Sequence, residues 1–361
     1  MQEVKKQCVG IDISKSDFTV AICNLMDDQS VSFSEIQSFS NNKTGFNQLN
    51  KWVKKLLVKG VKVVYLMEAT GVYYEPLAYH LHKIKKTVHV VLPNKAKYYI
   101  ASLNLKTKTD HTDALALAQF GVERKFEPWQ PPAPIYKKLK ELSRYRTSLI
   151  EDRVVFLNRI SSNEAAEQGN TFVKKSMTDI IKKIDKQIEK AEKEMLLVVD
   201  QDQKLKQRLE NICTTKGIGI FSVITVIAET AGFELVHNAK QLTSFAGFDV
   251  VQRQSGSSIN GKSRISKKGN AHIRRALYFP AISAVRWNPK FKAQYKRLLE
   301  RGKPKMVATT AVARKLLTLI YALWKNNQPF IENYEQLKTN KKLAPELAEA
   351  TQDNHNDFLI S

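Results

Sequence analysis

The chain has 361 residues, with 58 Lys and Arg against 35 Asp and Glu, which gives a formal net charge of +23 at pH 7. Its hydrophobic fraction of 43% is ordinary for globular proteins and excludes disorder throughout. The length allows two or three domains, each with its own core. So large a cationic surplus indicates a polyanionic partner, because neutralising phosphates releases their condensed counterions.

No sequence feature indicates export or membrane insertion. The three cysteines, Cys8, Cys23 and Cys213, are scattered and match neither a metal-ligand spacing nor a disulfide framework. The first residues lack the apolar core of a signal peptide, so we expect a reducing, cytoplasmic location. The longest apolar run, residues 220–228, is too short to span a bilayer, and no membrane partner is expected.

Residues 1–126 alternate between strand and helix patterns and predict an α/β domain. The predicted elements are strands at 8–13, 18–23 and 31–38, a helix capped by Thr44 and ended by Gly60, a strand at 61–67, a helix at 74–85, a strand at 88–92 and a helix at 110–124. The first two strands are joined by a polar turn, which indicates a hairpin. The run at 61–67 is apolar apart from Lys62, which favours a strand buried on both faces. The order predicts an opening meander followed by βα units.

A stiff Pro-rich linker at residues 127–134 marks the clearest domain boundary. The segment 127–205 is predicted to be linker followed by long helices with a coiled-coil rhythm, whose apolar stripe packs either within the chain or between subunits. Residues 206–332 predict a mainly α domain of short helices around one long Gly/Ser/Lys-rich loop at 252–270. Residues 333–361 predict a flexible tail.

Four carboxylates stand out by their context. Asp12 lies inside an apolar strand, where a charge is costly, and Glu68 ends the apolar strand at 61–67. Asp110 and Asp113 share one face of a helical turn. Helix capping would explain the last pair, and a surface position would explain Asp12. Together the four would repel one another unless cations neutralise them, and their hard oxygen ligands select Mg²⁺ or Mn²⁺.

The C-terminal half is strongly basic. Residues 250–331 contain 18 Lys and Arg but only one acidic residue, Glu300, which favours a nucleic-acid surface over an ordinary solvated face. Ser255 in the predicted loop is open to three interpretations: nucleophile, phosphate contact or loop filler. The candidate nucleic-acid-binding residues are Lys106, Lys108, Arg253, Lys262, Arg264, Lys267, Lys268, Arg274 and Arg275.

A Gly-x-Gly stretch, Gly217-Ile218-Gly219, lies between two apolar helical segments. This pattern is typical of a helix-hairpin-helix, whose turn amides contact a phosphate without reading sequence, and equally of a tight helix–helix turn. Both interpretations stay open at this point.

Taken together, these motifs resemble those of a known family over residues 7–330, the DEDD transposases of the insertion-sequence "one-ten" group. The matching stretches are Val9-Gly10-Ile11-Asp12-Ile13-Ser14-Lys15, Met67-Glu68-Ala69-Thr70-Gly71, Lys108-Thr109-Asp110-His111-Thr112-Asp113-Ala114, Gly217-Ile218-Gly219, and Ser244-Phe245-Ala246-Gly247 through Ser255-Gly256 to Ser266-Lys267-Lys268-Gly269-Asn270. The chain departs from the pattern at Lys216 and Val250, where relatives commonly have proline.

The resemblance implies an RNase-H-like (RuvC-like) N-terminal domain with Asp12, Glu68, Asp110 and Asp113 as metal ligands. It also implies a helical transposase domain in which a loop serine attacks DNA to give a covalent intermediate. Ser255 is the preferred serine, with Ser257 and Ser258 close by. The implied partners are double-stranded DNA at element ends and target, a bridge RNA, and further copies of the chain in a dimer or tetramer.

Three rival functions make different predictions. A metal-only Holliday-junction-resolvase-like endonuclease would use Ser255 merely to bind phosphate. A sugar-kinase-like ATPase would need a second Gly-rich phosphate loop and an adenosine motif, and the sequence contains neither. A non-catalytic nucleic-acid-binding protein would bind DNA in a salt-dependent way without cutting it.

Overall fold

The computed structural model describes residues 3–69, 71–166, 169–255 and 259–332. The chain divides into two compact units, Met1–Pro131 and Pro132–Ser361. The first is built on a mixed sheet flanked by helices and the second is mostly helical. The α/β class expected at the N-terminus and the helical class expected beyond it are confirmed. The division into segments 1–126, 127–205, 206–332 and 333–361 stays a prediction, and the last segment lies outside the described residues.

The first unit contains six strands and four helices in its described part. They are β1 (Val4–Ile13), β2 (Asp17–Met26), β3 (Val31–Phe33), β4 (Gln37–Ser40), α1 (Lys43–Leu56), β5 (Lys62–Glu68), α2 (Glu75–Lys83), β6 (Val88–Val91), α3 (Pro93–Ser102) and α4 (Asp110–Glu123). The sheet order is β3-β2-β1-β5-β6, and β4 also pairs with β2. Pairs β1–β2, β2–β3 and β2–β4 are antiparallel, whereas β1–β5 and β5–β6 are parallel.

The alternation of side chains along β1 distributes its residues between two cores. Val9, Ile11 and Ile13 belong to the core that also contains apolar residues of α1 and α2. Cys8 belongs to the core on the other side, with Ala114 and other residues of α4. Since strand side chains alternate with period two, Asp12 shares the α4 side with Cys8 and Gly10.

The second unit contains nine helices and one strand pair in its described part. They are α5 (Pro134–Ala165), α6 (Thr171–Asp200), α7 (Gln203–Cys213), α8 (Ile220–Glu229), α9 (Ala239–Phe245), β7 (Val250–Ser255), β8 (Ile259–Ile265), α10 (Ala271–Ala276), α11 (Tyr278–Trp287), α12 (Pro289–Glu300) and α13 (Lys305–Asn326). The core is centred on α8, whose Val223, Ile224 and Val226 are fully buried, and on α13, with Leu316 and Leu317 equally buried.

Helices α5 and α6 form an antiparallel hairpin, because their ion pairs join the start of one helix to the end of the other. The pairs are Lys138–Glu194 at 2.7 Å, Arg146–Glu192 at 2.6 Å, Arg153–Asp185 at 2.6 Å and Glu164–Lys174 at 2.6 Å. The predicted stripe on α6 is buried at Ile181, Ala191, Met195 and Val198. Packing within the chain therefore accounts for part of that stripe.

Helix α13 is the one helix among the described residues that is long and apolar enough to cross a bilayer by length and composition alone. It contains 22 residues, and apolar side chains such as Val312, Leu316 and Ile320 are completely buried in the core of the second unit. Core helices of soluble proteins pass the same test, so this helix is weak support for a membrane span.

The largest correction to the sequence-based expectations concerns residues 252–270, predicted to be one long loop. The structure instead has the antiparallel hairpin β7–β8, with Val250 opposite Ile265 and Ser255 opposite Ile259. The error arose because polar residues follow one another without apolar alternation, so no strand period is visible. Ser257 and Ser258 lie outside the described residues.

Smaller corrections concern element boundaries. The predicted strand at 31–38 is split into β3 and β4. Helix α1 is capped by Asn42, whose side chain accepts from the Gly45 amide, rather than by Thr44. Helix α3 was not predicted, although Pro93 at its first position is a typical helix start. The expectation of only short helices beyond residue 206 is wrong for α13.

Candidate functional site

Asp12 and Glu68 lie at the same end of two neighbouring parallel strands. The β1–β5 register pairs Gly10 with Leu66 and Ile11 with Met67, so one further step brings Asp12 beside Glu68. Glu68 is the last residue of β5, opposite Val91 of β6. The carboxyl ends of parallel strands are where α/β sheets build their sites, and the sequence-predicted pair occupies such an edge.

The other two carboxylates lie in the first turn of α4. Thr109 caps this helix by accepting from the Thr112 amide, and the Thr112 hydroxyl in turn accepts from the Thr109 amide at 2.8 Å. This capping box satisfies two of the free amides at the helix start, so the N-cap is Thr109 rather than Asp110 or Asp113. Both carboxylates lie in the first turn, where the helix dipole also favours them, so this structural explanation of the pair stays open beside the functional one.

Two glycines let α4 pack directly against β1. A Cβ on Gly10 would lie 2.1 Å from the backbone nitrogen of Ala118 and 2.5 Å from the carbonyl oxygen of Ala114. A Cβ on Gly121 would lie 2.1 Å from the Cys8 Sγ. At Gly10 the contacts are with the backbone of α4, so no side chain fits there without moving the helix, whereas at Gly121 the Cys8 side chain would have to give way. The close approach at Gly10 therefore sets the position of α4 over β1.

Lys6 fixes the far end of α4 to the same strand. Its ammonium donates to the carbonyl oxygens of Gly121 at 2.5 Å, Val122 at 3.0 Å and Arg124 at 3.1 Å. These carbonyls belong to the last turn, which carries the negative end of the helix dipole. Helix α4 is thereby held at both ends, and its N-terminal carboxylates have a defined position above the sheet.

Asp12 is influenced by the charges of the other three carboxylates. Burial raises the pKa of Asp12, and the negative charges of Asp113, Asp110 and Glu68 raise it further, to about 6. Burial also raises the pKa of Asp113, while Lys108 opposes that rise and Asp110 adds to it. This pattern is expected where acidic groups converge without a compensating cation.

The donor set fits a divalent cation in its chemistry. The Asp113 Oδ1 is buried and has no hydrogen-bond partner, which is costly for a carboxylate oxygen unless something binds it. Among the described residues, no group of three or more His, Cys, Asp and Glu side chains is already spaced to hold a metal ion.

Replacing Asp12 by asparagine is expected to stabilise the protein at neutral pH in EDTA. Because the pKa of Asp12 is raised to about 6 in the folded state, this group contributes most to the free energy of unfolding below its unfolded-state pKa near 4. That stabilising contribution is lost as the pH rises through 6. Discounted for partial exposure, Asp12→Asn should raise the free energy of unfolding by about 1–2 kcal/mol at pH 7.5. Urea unfolding should show the gain vanishing near pH 4. Asp27→Asn, an exposed control, should follow wild type, and a gain independent of pH would contradict the assignment.

A compact turn in the second unit, Ser266–Asn270, presents two lysines to solvent. The Ser266 hydroxyl donates to the Asp249 Oδ1 at 2.6 Å, and the backbone amide of Asn270 donates to the Phe245 carbonyl at 2.7 Å. Lys267 has a left-handed φ of 54°, and both Lys267 and Lys268 are exposed. We call this segment the basic turn.

The buried carboxylate of Glu229 holds the basic turn through a hydrogen bond from Asn270. The Glu229 side chain is fully buried and receives two bonds from Arg144, from Nε at 2.6 Å and from an Nη at 2.9 Å. The side-chain Nδ2 of Asn270 donates to the same carboxylate at 2.7 Å, and the Asn270 Oδ1 caps α10 by accepting from the backbone amide of Ile273. Burial alone would raise the pKa of Glu229, yet these hydrogen bonds lower it.

The remaining predicted binding residues have varied surroundings. Arg264 on β8 is exposed, as are Lys106 and Lys108 ahead of α4. Arg274 donates to the carbonyls of Ala246 and Gly269, so part of its guanidinium holds the basic turn. Arg275 is paired with Glu151 of α5. Ser255 ends β7, and Arg253 and Lys262 lie on the β7–β8 hairpin; their side chains lie outside the described part.

The Gly217-Ile218-Gly219 turn joins α7 to α8. Gly217 has φ +96°, and a Cβ there would lie 2.6 Å from the Ala284 backbone nitrogen on α11. Close packing against α11 therefore explains the first glycine. Nothing lies within 4 Å of a Cβ on Gly219, so packing does not explain the second.

Several positioning residues were missed from the sequence. Lys6, Gly121 and Glu229 each act through contacts with residues far along the chain. Gly121 looks like an ordinary helix residue, and Glu229 looks like the polar end of an apolar helix. The one available signal was glycine inside a helix, which often marks a close approach.

Comparison with known proteins places the chain in a family. A family model for DEDD transposases of the IS110 group matches residues 9–163, and a model for transposases of the IS116/IS110/IS902 family matches residues 209–296. The pilin gene-inverting proteins of Moraxella lacunata and Moraxella bovis are each 30% identical over 340 residues, which cover 91% of this chain and 98% of the relative. The chain belongs to the IS110 transposase family.

Membership in the IS110 family makes this protein an enzyme that acts on DNA. A solved structure of Thermus thermophilus RuvC with a Holliday junction substrate is similar over 34% of this chain and 99% of that chain, with 12% sequence identity and a TM-score of 0.27.

Proposed function

We propose that this IS110-family protein cuts and rejoins DNA strands through a serine–DNA intermediate, assisted by divalent cations, to excise and integrate an insertion sequence. The proposal is supported by the adjacent positions of Asp12 and Glu68 at the ends of β1 and β5 and by the negative charges of Asp110 and Asp113 that act on Asp12, because neighbouring carboxylates are stabilised when cations neutralise them. A bound Mg²⁺ or Mn²⁺ would polarise the phosphate and stabilise the oxygens that attack and leave.

In the proposed reaction Ser255 is the nucleophile. Its Oγ attacks a DNA phosphorus, a phosphoserine ester forms, and one P–O bond of the phosphodiester breaks. The serine proton passes to the departing DNA oxygen, which becomes a hydroxyl. Rejoining is the reverse step with a new DNA hydroxyl as the attacker, so no cofactor is consumed.

The basic residues would hold the phosphates. Lys267 and Lys268 on the basic turn, and Arg264 on β8, are exposed and suitably charged. We assign the same role to Arg253 and Lys262 beside Ser255, and to Lys106 and Lys108 beside the carboxylates. Arg274 and Arg275, already engaged within the fold, would contribute their remaining donors.

We further propose that a bridge RNA guides the recombination and that the protein acts as a dimer or tetramer in the bacterial cytoplasm, at the nucleoid. The support is the family resemblance together with the net charge of +23, which suits two nucleic-acid partners. Cutting by purified protein without RNA should be absent and should appear when the element's own transcript is added.

Replacing Ser255 by alanine tests the chemistry. Wild-type protein incubated with element-end DNA, the element's own transcript and Mg²⁺ should give a DNA–protein adduct that survives denaturing electrophoresis, and Ser255→Ala should give neither adduct nor cut DNA. A metal-only endonuclease predicts the opposite, with substantial cutting by Ser255→Ala and none by Asp12→Ala. A Ser263→Ala variant, changed at an exposed serine of β8, should retain wild-type activity.

A further inference from the structure

Helix α11 exposes a row of large apolar side chains that no described residue covers. Phe279 is 74% exposed and Trp287 is 64% exposed, while Tyr278 and Ile282 are partly exposed. The opposite face of the helix, which carries Ala281 and other small residues, is buried in the core. Exposed aromatic groups of this extent are unusual on a soluble surface and indicate a binding site.

Arginines are interleaved with these apolar side chains. Arg275, Phe279, Ile282 and Arg286 follow one another at spacings of four, three and four residues, which places them along one side of the helical path. The sequence has no Asp or Glu from residue 271 to residue 299. The α11 stripe, defined as Arg275, Tyr278, Phe279, Ile282 and Arg286, is thus aromatic, apolar and cationic.

A second copy of the chain is a poor occupant for this surface. A two-fold contact through the stripe would bring the arginines of the two copies together, and Arg286 would find no acidic side chain on the stripe to pair with, since the nearby Glu151 is already paired with Arg275. A ligand with negative charge and flat apolar faces would match both the arginines and the aromatic side chains of the stripe. Unpaired nucleotides have both properties, because every base has a π-face and every linkage has a phosphate.

We propose that the α11 stripe binds single-stranded DNA, with unpaired bases stacked on Phe279 and Tyr278 and phosphates near Arg286. The Tyr278 and Phe279 rings already form an edge-to-face pair with centroids 5.3 Å apart, so the platform is partly organised before DNA arrives. This inference rests on the proposed function for the source of the strand, since cutting and exchange release unpaired bases. The stripe would hold the freed strand until it is rejoined.

Binding to intact and base-free oligonucleotides tests the proposal. Fluorescence anisotropy in EDTA would compare a 20-nucleotide single strand with an abasic strand of equal length, which retains the phosphates but not the bases. Wild-type protein should bind the strand with bases about tenfold more tightly. Phe279→Leu, which preserves an apolar side chain, should reduce that preference to less than about threefold, whereas Phe279→Trp should retain it.

Phe172→Leu supplies the matched control, because Phe172 is 77% exposed and lies on α6 rather than on the α11 stripe. It should preserve the wild-type preference. The proposal is overturned if Phe279→Leu leaves the preference for the strand with bases intact. It is also overturned if Phe279→Leu changes only the sedimentation of the protein, as at a self-association surface. A base preference shown by an RNA strand alone would overturn it as well. Failure of the proposed function is separately visible, because the assay requires no metal or cutting and Ser255→Ala should keep the preference.

Discussion

Replacing Gly10 by alanine is expected to disable the enzyme although it substitutes none of the proposed catalytic residues. The new Cβ would meet backbone atoms of α4 at 2.1 Å and 2.5 Å, and backbone cannot rotate away as a side chain can. Helix α4 must therefore move, and Asp110 and Asp113 move with it. We expect a loss of about 3 kcal/mol in the free energy of unfolding and about a hundredfold loss of DNA cutting.

Gly219→Ala is the matched control for this substitution. Gly219 has φ −91°, which alanine adopts readily, and open space around its Cβ position. It should lose less than about 1 kcal/mol, the cost of a poorer N-cap. Urea unfolding and a cutting assay on the two variants separate the effects. Wild-type cutting by Gly10→Ala would show that the close packing of α4 against β1 does not position the site.

Replacing Glu229 by alanine has the second largest expected effect. The change removes a fully buried carboxylate and leaves Arg144 and Asn270 without their acceptor. Breaking a buried ion pair costs about 3–5 kcal/mol, and since Arg144 is 43% exposed and can be hydrated, we expect about 2–4 kcal/mol. The basic turn should loosen as well, so DNA affinity should fall.

The pair Lys138–Glu194 provides the comparison for Glu229. Both side chains are about half exposed, and Glu194→Ala should lose less than about 1 kcal/mol with unchanged DNA binding. The pKa of Glu229 is lowered in the fold, so its contribution is present above the unfolded pKa near 4.5 and lost as the pH falls below it. Unfolding free energies for wild type and Glu229→Gln should therefore converge at acidic pH. Equal losses for Glu229→Ala and Glu194→Ala would show that Glu229 is not an anchor.

The N-terminal strands and the carboxylates on them were predictable from the sequence because their signals are local. After Lys62, strand β5 is a continuous apolar run that ends in a charged residue, and α4 begins at its predicted start in a Thr-Asp sequence. Asp12 stood out as a charge within an apolar strand. Local burial and helix-start chemistry are both visible in a single sequence.

The positioning contacts were not predictable, because they join residues far apart in the chain. Lys6 binds the carbonyl of Gly121, 115 residues away, and Glu229 binds Arg144 and Asn270, 85 and 41 residues away. No periodicity records such contacts. The β7–β8 hairpin was missed for a different reason, since a solvated strand with polar residues on both faces has no alternation of hydrophobicity.

The central proposal is that Ser255 forms the covalent bond to DNA and that this reaction requires cations held by Asp12, Glu68, Asp110 and Asp113. Mass spectrometry of the peptide cross-linked to DNA tests this proposal most directly. We expect a nucleotide attached at Ser255 in wild type with the element's transcript and Mg²⁺, and no adduct with EDTA or in Asp113→Asn. An adduct on another side chain, or one that forms equally well without divalent ions, would contradict it.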